Sequence, residues 1–431
     1  MFLRVTMSLL AMIALGGCLG GAGALAPCDP SSTDTSICHL TNPEDLGVLA
    51  DRSWIIVSEM ALDGGGTDDE ATDGVEGEGH GDGRGEGDID RHSGAGRLSA
   101  IRLRDLEPIP VYPIEVTGRM DAVMQRESVG ELEATQRSVS GWGDEHCPGE
   151  PDAAIFRPHG LDVGRGPGGK LAVAVVNHGG REAVELFEVE AGEVPSLVWR
   201  GCVPMPQGIN TNDVAFMPGG GFVVTNFMPA FEGTGPKAIW TMLKINYGLR
   251  TGSVLEWTPG GALEEIENSQ GSAPNGIAVS PDGQEIYVSE WGGERIYRLR
   301  LREGTPPLRD EVELGHHPDN LTWMSDGRLL VAGQLGGVSA ALSCASVEHA
   351  GCDIGYSVYV IDPGRRDATG PLEATRLFEG RGAGSVALEV DRVDRVDRAG
   401  RADGEDREIF VGFFAGDRIE RVRPPASNSA P

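Results

Sequence analysis

Six short polar stretches carry the residue types that could do chemistry in this chain. They are Glu44–Asp45 in "PEDL", His159 in "PHGL", Asn212–Asp213 in "TNDV", Asn275 in "PNGI", Asp319–Asn320 in "PDNL" and Ser385 in "AGSV". Each stands just before, or at the start of, a short apolar run. Singly, any of them is an ordinary turn former. Together they supply carboxylate and amide oxygens at equivalent places, and about six to eight hard oxygen ligands are what Ca²⁺ selects. Zinc or copper would call for more His or Cys. Carboxylates brought together in a core without a cation would repel one another and be poorly solvated. His159 lies within this series and His178 ends the run "AVVNH". Histidine is the natural general base near neutral pH. His178 alternatively reads as a structural residue satisfied by backbone. His316 and His317 could shape a pocket, or "HHP" could be a turn.

The elements that must position these residues repeat. A unit of polar start, alternating apolar run, Gly-bearing turn and second apolar run recurs at 43–60, 158–178, 211–227, 274–291 and 318–334. A sixth begins at 383–390 and resumes at 408–414. Third runs follow at 183–189, 253–259, 295–301, 357–363 and 418–422. "SPDGQ", "MPGGG" and "MSDGR" read as hairpin links. Six such units with about four short strands each predict an all-β, six-bladed propeller over residues 27–425. A β-sandwich competes but does not explain six similar starts. Helical periodicity is confined to "KAIWTMLKINYG" at 237–248.

Two stretches fall outside the pattern. Residues 62–95 are Gly and acid with little to bury, and read as a disordered insertion. Residues 389–407, rich in alternating Asp and Arg, read as a charged surface loop. The chain has 431 residues and a formal charge of −30. That balance excludes a nucleic-acid partner, which would need clustered Lys and Arg.

Residues 1–26 read as an export signal: Arg4, an apolar run of signal length, then small residues. "LGGC" at 15–18 resembles a bacterial lipobox, so the signal would end at residue 17 with Cys18 lipidated; cleavage after Ala26 is the alternative. Either way the chain is expected outside the cytoplasm, secreted or held at the periplasm or outer membrane. Any membrane contact would come only through the N-terminal lipid. Without Cys18, six cysteines remain, and an even set in an exported chain predicts disulfides. Short separation alone suggests Cys28–Cys38, Cys147–Cys202 and Cys344–Cys352.

In combination these motifs resemble the paraoxonase/arylesterase group within the SMP-30/gluconolactonase/strictosidine synthase-like six-bladed propellers. The resemblance spans most of residues 40–422 and rests on "PEDL", "RPHGLDV", "AVVNHGG", "TNDVAF", "PNGIAVSPDG" and "HPDNLTW". It implies two calcium ions. Glu44, Asn212, Asn275, Asp319 and Asn320 would hold a catalytic one; Asp45, Asp213 and the Leu161 carbonyl would hold a structural one. Consecutive strand residues point opposite ways, which suits the division within each adjacent pair. The resemblance makes His159 the base and His178 its orienting or relaying partner, in hydrolysis of a small ester or lactone by a monomer. No cysteine follows Cys352, so the family's disulfide between chain ends has no counterpart. "MPAFEGTGPKAIWTMLKINYG" lies where substrate-covering loops occur in such folds, making Phe227, Trp240 and Tyr247 pocket candidates.

Two other functions stay open on sequence alone. One is a non-catalytic, calcium-stabilised propeller that binds a ligand or protein at the cell envelope. The other is condensation chemistry of the strictosidine synthase kind.

Overall fold

A computed structural model describes residues 22–32, 34–61, 95–113, 141–231, 235–344, 351–364, 371–391 and 407–423. Cys18, most of the expected signal, residues 62–94 and residues 392–406 lie outside this set.

Six four-stranded antiparallel sheets form the six expected blades. The strands β1 (Gly23–Ala24) and β2 (Ser36–Ile37) come before the first blade. Blade 1 is β3–β6 (Pro43–Val48, Trp54–Glu59, Arg97–Arg102, Pro108–Tyr112). Blade 2 is β7–β10 (Pro158–Arg165, Leu171–Asn177, Ala183–Glu190, Ser196–Pro204). Blade 3 is β11–β14 (Ile209–Phe216, Phe222–Pro229, Ser253–Trp257, Leu263–Glu265). Helix α1 (Pro236–Asn246) interrupts that blade between its second and third strands. Blade 4 is β15–β18 (Pro274–Val279, Glu285–Glu290, Arg295–Arg302, Thr305–Glu313).

Blade 5 opens with β19 (His317–Trp323) and β20 (Leu329–Gln334), then leaves the sheet as α2 (Val338–Cys344) and β21 (Cys352–Asp353). It is completed by β22 (Tyr356–Asp362) and β23 (Glu373–Gly380). Blade 6 contains β24 (Gly384–Asp391), β25 (Arg407–Phe413) and β26 (Ile419–Val422). Its fourth strand is β2 from the other end of the chain, with Ser36 opposite Glu420 and Ile37 opposite Ile419. This pairing closes the ring. One expected boundary moves: Glu389, Val390 and Asp391 pair with Ile409, Glu408 and Arg407, so the charged insertion begins after these ladder residues.

The core is six apolar layers between neighbouring blades. Ile56 and Ala100 of blade 1 meet Val173, Val175 and Phe187 of blade 2 in one such layer. Blade 3's Val223 and Val254 meet blade 4's Ile286 and Val288 in another. The second strand of each blade lies between two layers, which explains unbroken apolar runs such as "WIIV" at the start of β4, a strand buried throughout. All three expected disulfides form: Cys28–Cys38, Cys147–Cys202 and Cys344–Cys352. Among the described residues no helix is long and apolar enough to cross a membrane.

Candidate functional site

A backbone irregularity places the site residues. In each of the six blades the ladder between the first two strands slips at the polar start. The residues skipped by the pairing are Glu44, His159–Gly160, Asn212–Asp213, Asn275–Gly276, Asp319–Asn320 and Ser385. A bulge re-aims the side chains that it leaves unpaired. Repeated six times, it turns the polar starts towards one another. Gly276 permits the crowding this requires, since a Cβ there would sit 2.3 Å from the Asp319 carbonyl oxygen.

The gathered oxygens are buried. Glu44 is 1% exposed and Asn320 1%; Asn212, Asn275 and Asp319 are also buried. Glu44 Oε1 accepts a 2.7 Å hydrogen bond from Asn320 Nδ2, linking blades 1 and 5. Four acceptors at this place have no hydrogen-bonding partner: Glu44 Oε2, Asn212 Oδ1, Asn275 Oδ1 and Asn320 Oδ1. A buried acceptor without a donor is costly and calls for an explanation. Four from four blades, all oxygen, fit a hard cation. Among the described residues no three His, Cys, Asp or Glu side chains alone make a ligand cluster; the amide oxygens complete this set. Asp319 is steadied by Gln334, whose Nε2 donates to its Oδ2 at 2.6 Å, while Trp291 Nε1 donates to Gln334 Oε1 at 2.7 Å. Ser385 is already engaged, donating to the Glu44 carbonyl at 2.7 Å.

Charge at the site follows from burial. Burial, then the charges of Asp45 and Asp319, push the Glu44 carboxyl well above the usual range. Burial likewise raises Asp319 to about 7 and Asp45 to about 7. The Asp213 carboxyl is raised by burial and by the Asp45 charge. Protons or a cation must relieve this repulsion.

Asp45 and Asp213 are held by backbone N–H groups of their own and neighbouring blades. Asp45 accepts from its own blade at Leu46 N (2.8 Å) and from blade 2 at Leu161 N (2.7 Å). Asp213 accepts from Val214 N (2.7 Å) and from blade 4 at Ile277 N (2.8 Å). These carboxylates staple blade to blade, and neither leaves an orphaned oxygen.

Beside the oxygens stands a chain of proton carriers. His159 Nδ1 is 2.9 Å from His178 Nε2, and His178 Nδ1 is 2.9 Å from Glu182 Oε2. Glu182 Oε1 accepts from Thr211 N at 2.6 Å and from the Thr211 hydroxyl. Burial alone would raise the Glu182 carboxyl; hydrogen bonds from His178 and Thr211 overcome it and lower the pKa. The ionised carboxylate assigns the tautomers: His178 carries its proton on Nδ1, so its Nε2 accepts from His159 Nδ1–H. His159 Nε2 is then left with a free lone pair, 3.7 Å from Glu44 Oε1. Burial, with the His178 charge, lowers His159 to about 3, so the ring is neutral at pH 7.

Glu182 and Gln334 were not anticipated. For Gln334 a signal existed: every quoted unit from 43–60 to 318–334 has a polar residue at or near the end of its second run, as in "VSEM", "VVNH", "VTNF", "VSEW" and "VAGQ". Of the pocket candidates, Trp240 on α1 is 63% exposed and Tyr247 just after it 72%, whereas Ala238, Thr241 and Ile245 of α1 are buried. Phe227 packs beneath the helix against the Ile245, Ala273 and Trp291 cluster. His316 is buried, with Nδ1 2.7 Å from Ser357 Oγ, and His317 stacks on Trp291 at 4.4 Å.

Residues 164–342 match the SMP-30/gluconolactonase/LRE-like region. That span holds His178, Glu182, Asn212, Asn275, Asp319 and Asn320, while Glu44 and His159 lie before it. No curated protein matches the chain. Among solved structures, a gluconolactonase from Xanthomonas campestris is 16% identical, with 94% of this chain and 99% of that chain covered and a TM-score of 0.46. Regucalcin, a calcium-binding protein from Agrobacterium tumefaciens, is 10% identical, with 93% and 96% covered and a TM-score of 0.43.

Proposed function

We propose that this chain is a calcium-dependent hydrolase of esters or lactones, a reading supported by the match of residues 164–342 to the SMP-30/gluconolactonase/LRE-like region. One observation carries the reading: a Glu182–His178–His159 chain ends in a free lone pair beside four orphaned oxygens.

The residues divide the work. Glu44, Asn212, Asn275, Asp319 and Asn320 would hold Ca²⁺, which when bound supplies Lewis-acid polarisation of a carbonyl and stabilises its oxyanion. His159 Nε2 takes a proton from the attacking water. As that proton arrives, His159 Nδ1–H can pass to His178 Nε2, and Glu182 stabilises the resulting positive charge. Thr211 holds Glu182 in place. Repulsion among Asp45, Asp213 and Asp162 favours a second, structural cation beside the blade staples. Export belongs to the same reading, since three disulfides suit an oxidising compartment.

Turnover of a small panel of aryl esters and lactones tests the proposal. His159→Gln should lower kcat about 10²–10⁴-fold, the span of general base catalysis, with the thermal melt kept. EDTA should abolish turnover. Full activity in His159→Gln would refute the assigned base. No turnover of any panel member by the calcium-loaded wild type would refute the hydrolase reading.

A further inference from the structure

Blade 6 contributes none of the proposed ligand oxygens. It packs between blade 5, which carries Asp319 and Asn320, and blade 1, which carries Glu44. The two carboxylates of the ligand set therefore stand on either side of a blade that offers no ligand.

Two other side chains bridge that gap. Gln334, at the end of β20, uses its whole amide. Its Oε1 accepts from Trp291 Nε1 at 2.7 Å, and its Nε2 donates both to Asp319 Oδ2 at 2.6 Å and to the Gly384 carbonyl of blade 6 at 2.8 Å. The next residue, Ser385, donates to the Glu44 carbonyl at 2.7 Å. Asn320 Nδ2 spans blades 5 and 1 directly, 2.7 Å from Glu44 Oε1 and 3.3 Å from the Glu44 carbonyl. Gln334 is 1% exposed and Ser385 fully buried, so water does not compete for these bonds.

Packing completes the frame. A Cβ on Gly384 would sit 2.6 Å from the Tyr356 ring of blade 5, and one on Gly412 would sit 2.3 Å from the Pro43 carbonyl oxygen of blade 1. Blade 6 is thus pressed against both neighbours and cannot shift towards either. The ligands most strongly drawn to a cation, the two carboxylates, are the ones that this frame holds.

That matters for the choice of ion. Ca²⁺ and Mg²⁺ carry the same charge, but calcium takes oxygens at about 2.3–2.6 Å, whereas magnesium demands about 2.0–2.1 Å and near-octahedral geometry. Loose carboxylates could contract around the smaller ion; framed ones cannot. We propose that Gln334 and Ser385, neither of them a ligand, fix the spacing of Glu44 and Asp319 and thereby make the site select calcium over magnesium. They are positioning residues. The inference rests on the calcium reading of the site but not on hydrolysis.

Calorimetric titration of the metal-free protein with calcium alone and with magnesium alone tests it, because the ratio of the two Kd values reads selectivity without any substrate. The wild type should prefer calcium by about 100-fold or more. Ser385→Ala and Gln334→Met, which keeps the side-chain length and removes the donor, should each lower that ratio about tenfold. Cooperative melts without metal would confirm that the variants are folded. Glu185→Ala, which loosens blade 2 away from the ligands, should keep the wild-type ratio. Folded Ser385→Ala and Gln334→Met that keep the ratio overturn the proposal, even if both affinities fall, and so does an equal loss of selectivity in Glu185→Ala. Wild-type protein that binds both ions equally overturns the proposal alone; wild-type protein that binds neither overturns it together with the calcium reading.

Discussion

Buried charge is handled in opposite ways at the flank of blade 2 and at the channel end. At the flank, Glu185 is fully buried. Its oxygens accept from Arg181 Nε and Nη2 at 2.8 Å each, from Trp199 Nε1 at 2.8 Å and from Asn177 Nδ2 at 3.3 Å. Arg298 in blade 4 is similar: buried, forked onto Asp310 at 3.1 and 2.6 Å, and donating to the Pro363 carbonyl. Nothing in these networks is left over. At the channel end, Glu44, Asn212, Asn275 and Asn320 are as deeply buried, yet each keeps an acceptor with no donor. Satisfied buried charge holds a fold together, and unsatisfied buried oxygen waits for a ligand.

Breaking the satisfied network should have the largest effect on folding. Glu185→Ala leaves Arg181 and the Trp199 indole N–H without their acceptor, and should cost about 3–5 kcal/mol, the range for removing one partner of a buried pair. Urea denaturation reads this directly, and the loss should be the same with calcium and with EDTA. A loss confined to the calcium-loaded protein would blur the distinction between the two regions.

The His chain lies between the extremes, being both fully paired and chemically directed. Glu182→Gln shows why. Thr211 N–H must donate to residue 182, so the amide oxygen faces Thr211 and the amide NH₂ faces His178 Nδ1. That reverses every tautomer down to His159, whose Nε2 then carries a proton and cannot act as base. A fall in kcat of about 100-fold, about 2.7 kcal/mol, is expected with little change in KM. Glu182→Asp keeps an acceptor and should recover part of the rate. An equal loss in both variants would mean that residue 182 serves only to pack.

How much of this was legible follows from what kind of signal each residue leaves. The six polar starts repeat in register with the apolar runs, so both the propeller and the oxygens of Glu44, Asn212, Asn275, Asp319 and Asn320 could be read from residue order. The three disulfides join cysteines that follow one another along the chain, 10, 55 and 8 residues apart. Glu182 leaves no periodic mark, because it matters only through where the turn after β8 carries it. Gln334 does repeat in kind with Glu59, Asn177 and Glu290 at the ends of second strands, but its contact with Asp319 depends on the bulge in β19. The helix at 237–248 was legible, but which of its residues pack inward was not, because that depends on the surface beneath it, where Ala238, Thr241 and Ile245 are buried. Ring closure by β2 was also illegible, since two residues carry too little pattern to identify a strand.

Asn275→Ala sharpens the comparison from the ligand side. It removes one orphaned oxygen together with the amide's hydrogen bond to Asp319, so stability in EDTA should fall by only about 0.5–1.5 kcal/mol. Wild-type protein should gain about 2.7 kcal/mol when free calcium is 100 times its Kd. The variant should lose most of that gain in a calcium titration followed by thermal melting. Strong destabilisation in EDTA would show that Asn275 is structural.

The smallest effect expected is a pH slope of opposite sign to the usual one for paired carboxylates. Burial raises Asp45 and Asp319 from 3.8 to about 7 in the folded protein. Between about pH 4 and 7 the folded state then binds more protons than the unfolded chain, so stability without calcium must fall as pH rises through that window. Carboxylates sharing one site do not ionise independently, so the slope should amount to about 1–2 kcal/mol over the window, below the sum of the separate shifts. Bound calcium stabilises the ionised forms and should flatten or reverse the slope. Satisfied Glu185 provides the contrast: the slope should survive in Glu185→Ala, displaced as a whole to lower stability. It should shrink in Asp319→Asn, which removes one titrating member. Melts in EDTA at pH 4.5, 5.5 and 6.5 would detect this, and a melting temperature that rises with pH under these conditions would place the buried oxygens in a different charge state from the one that the structure dictates.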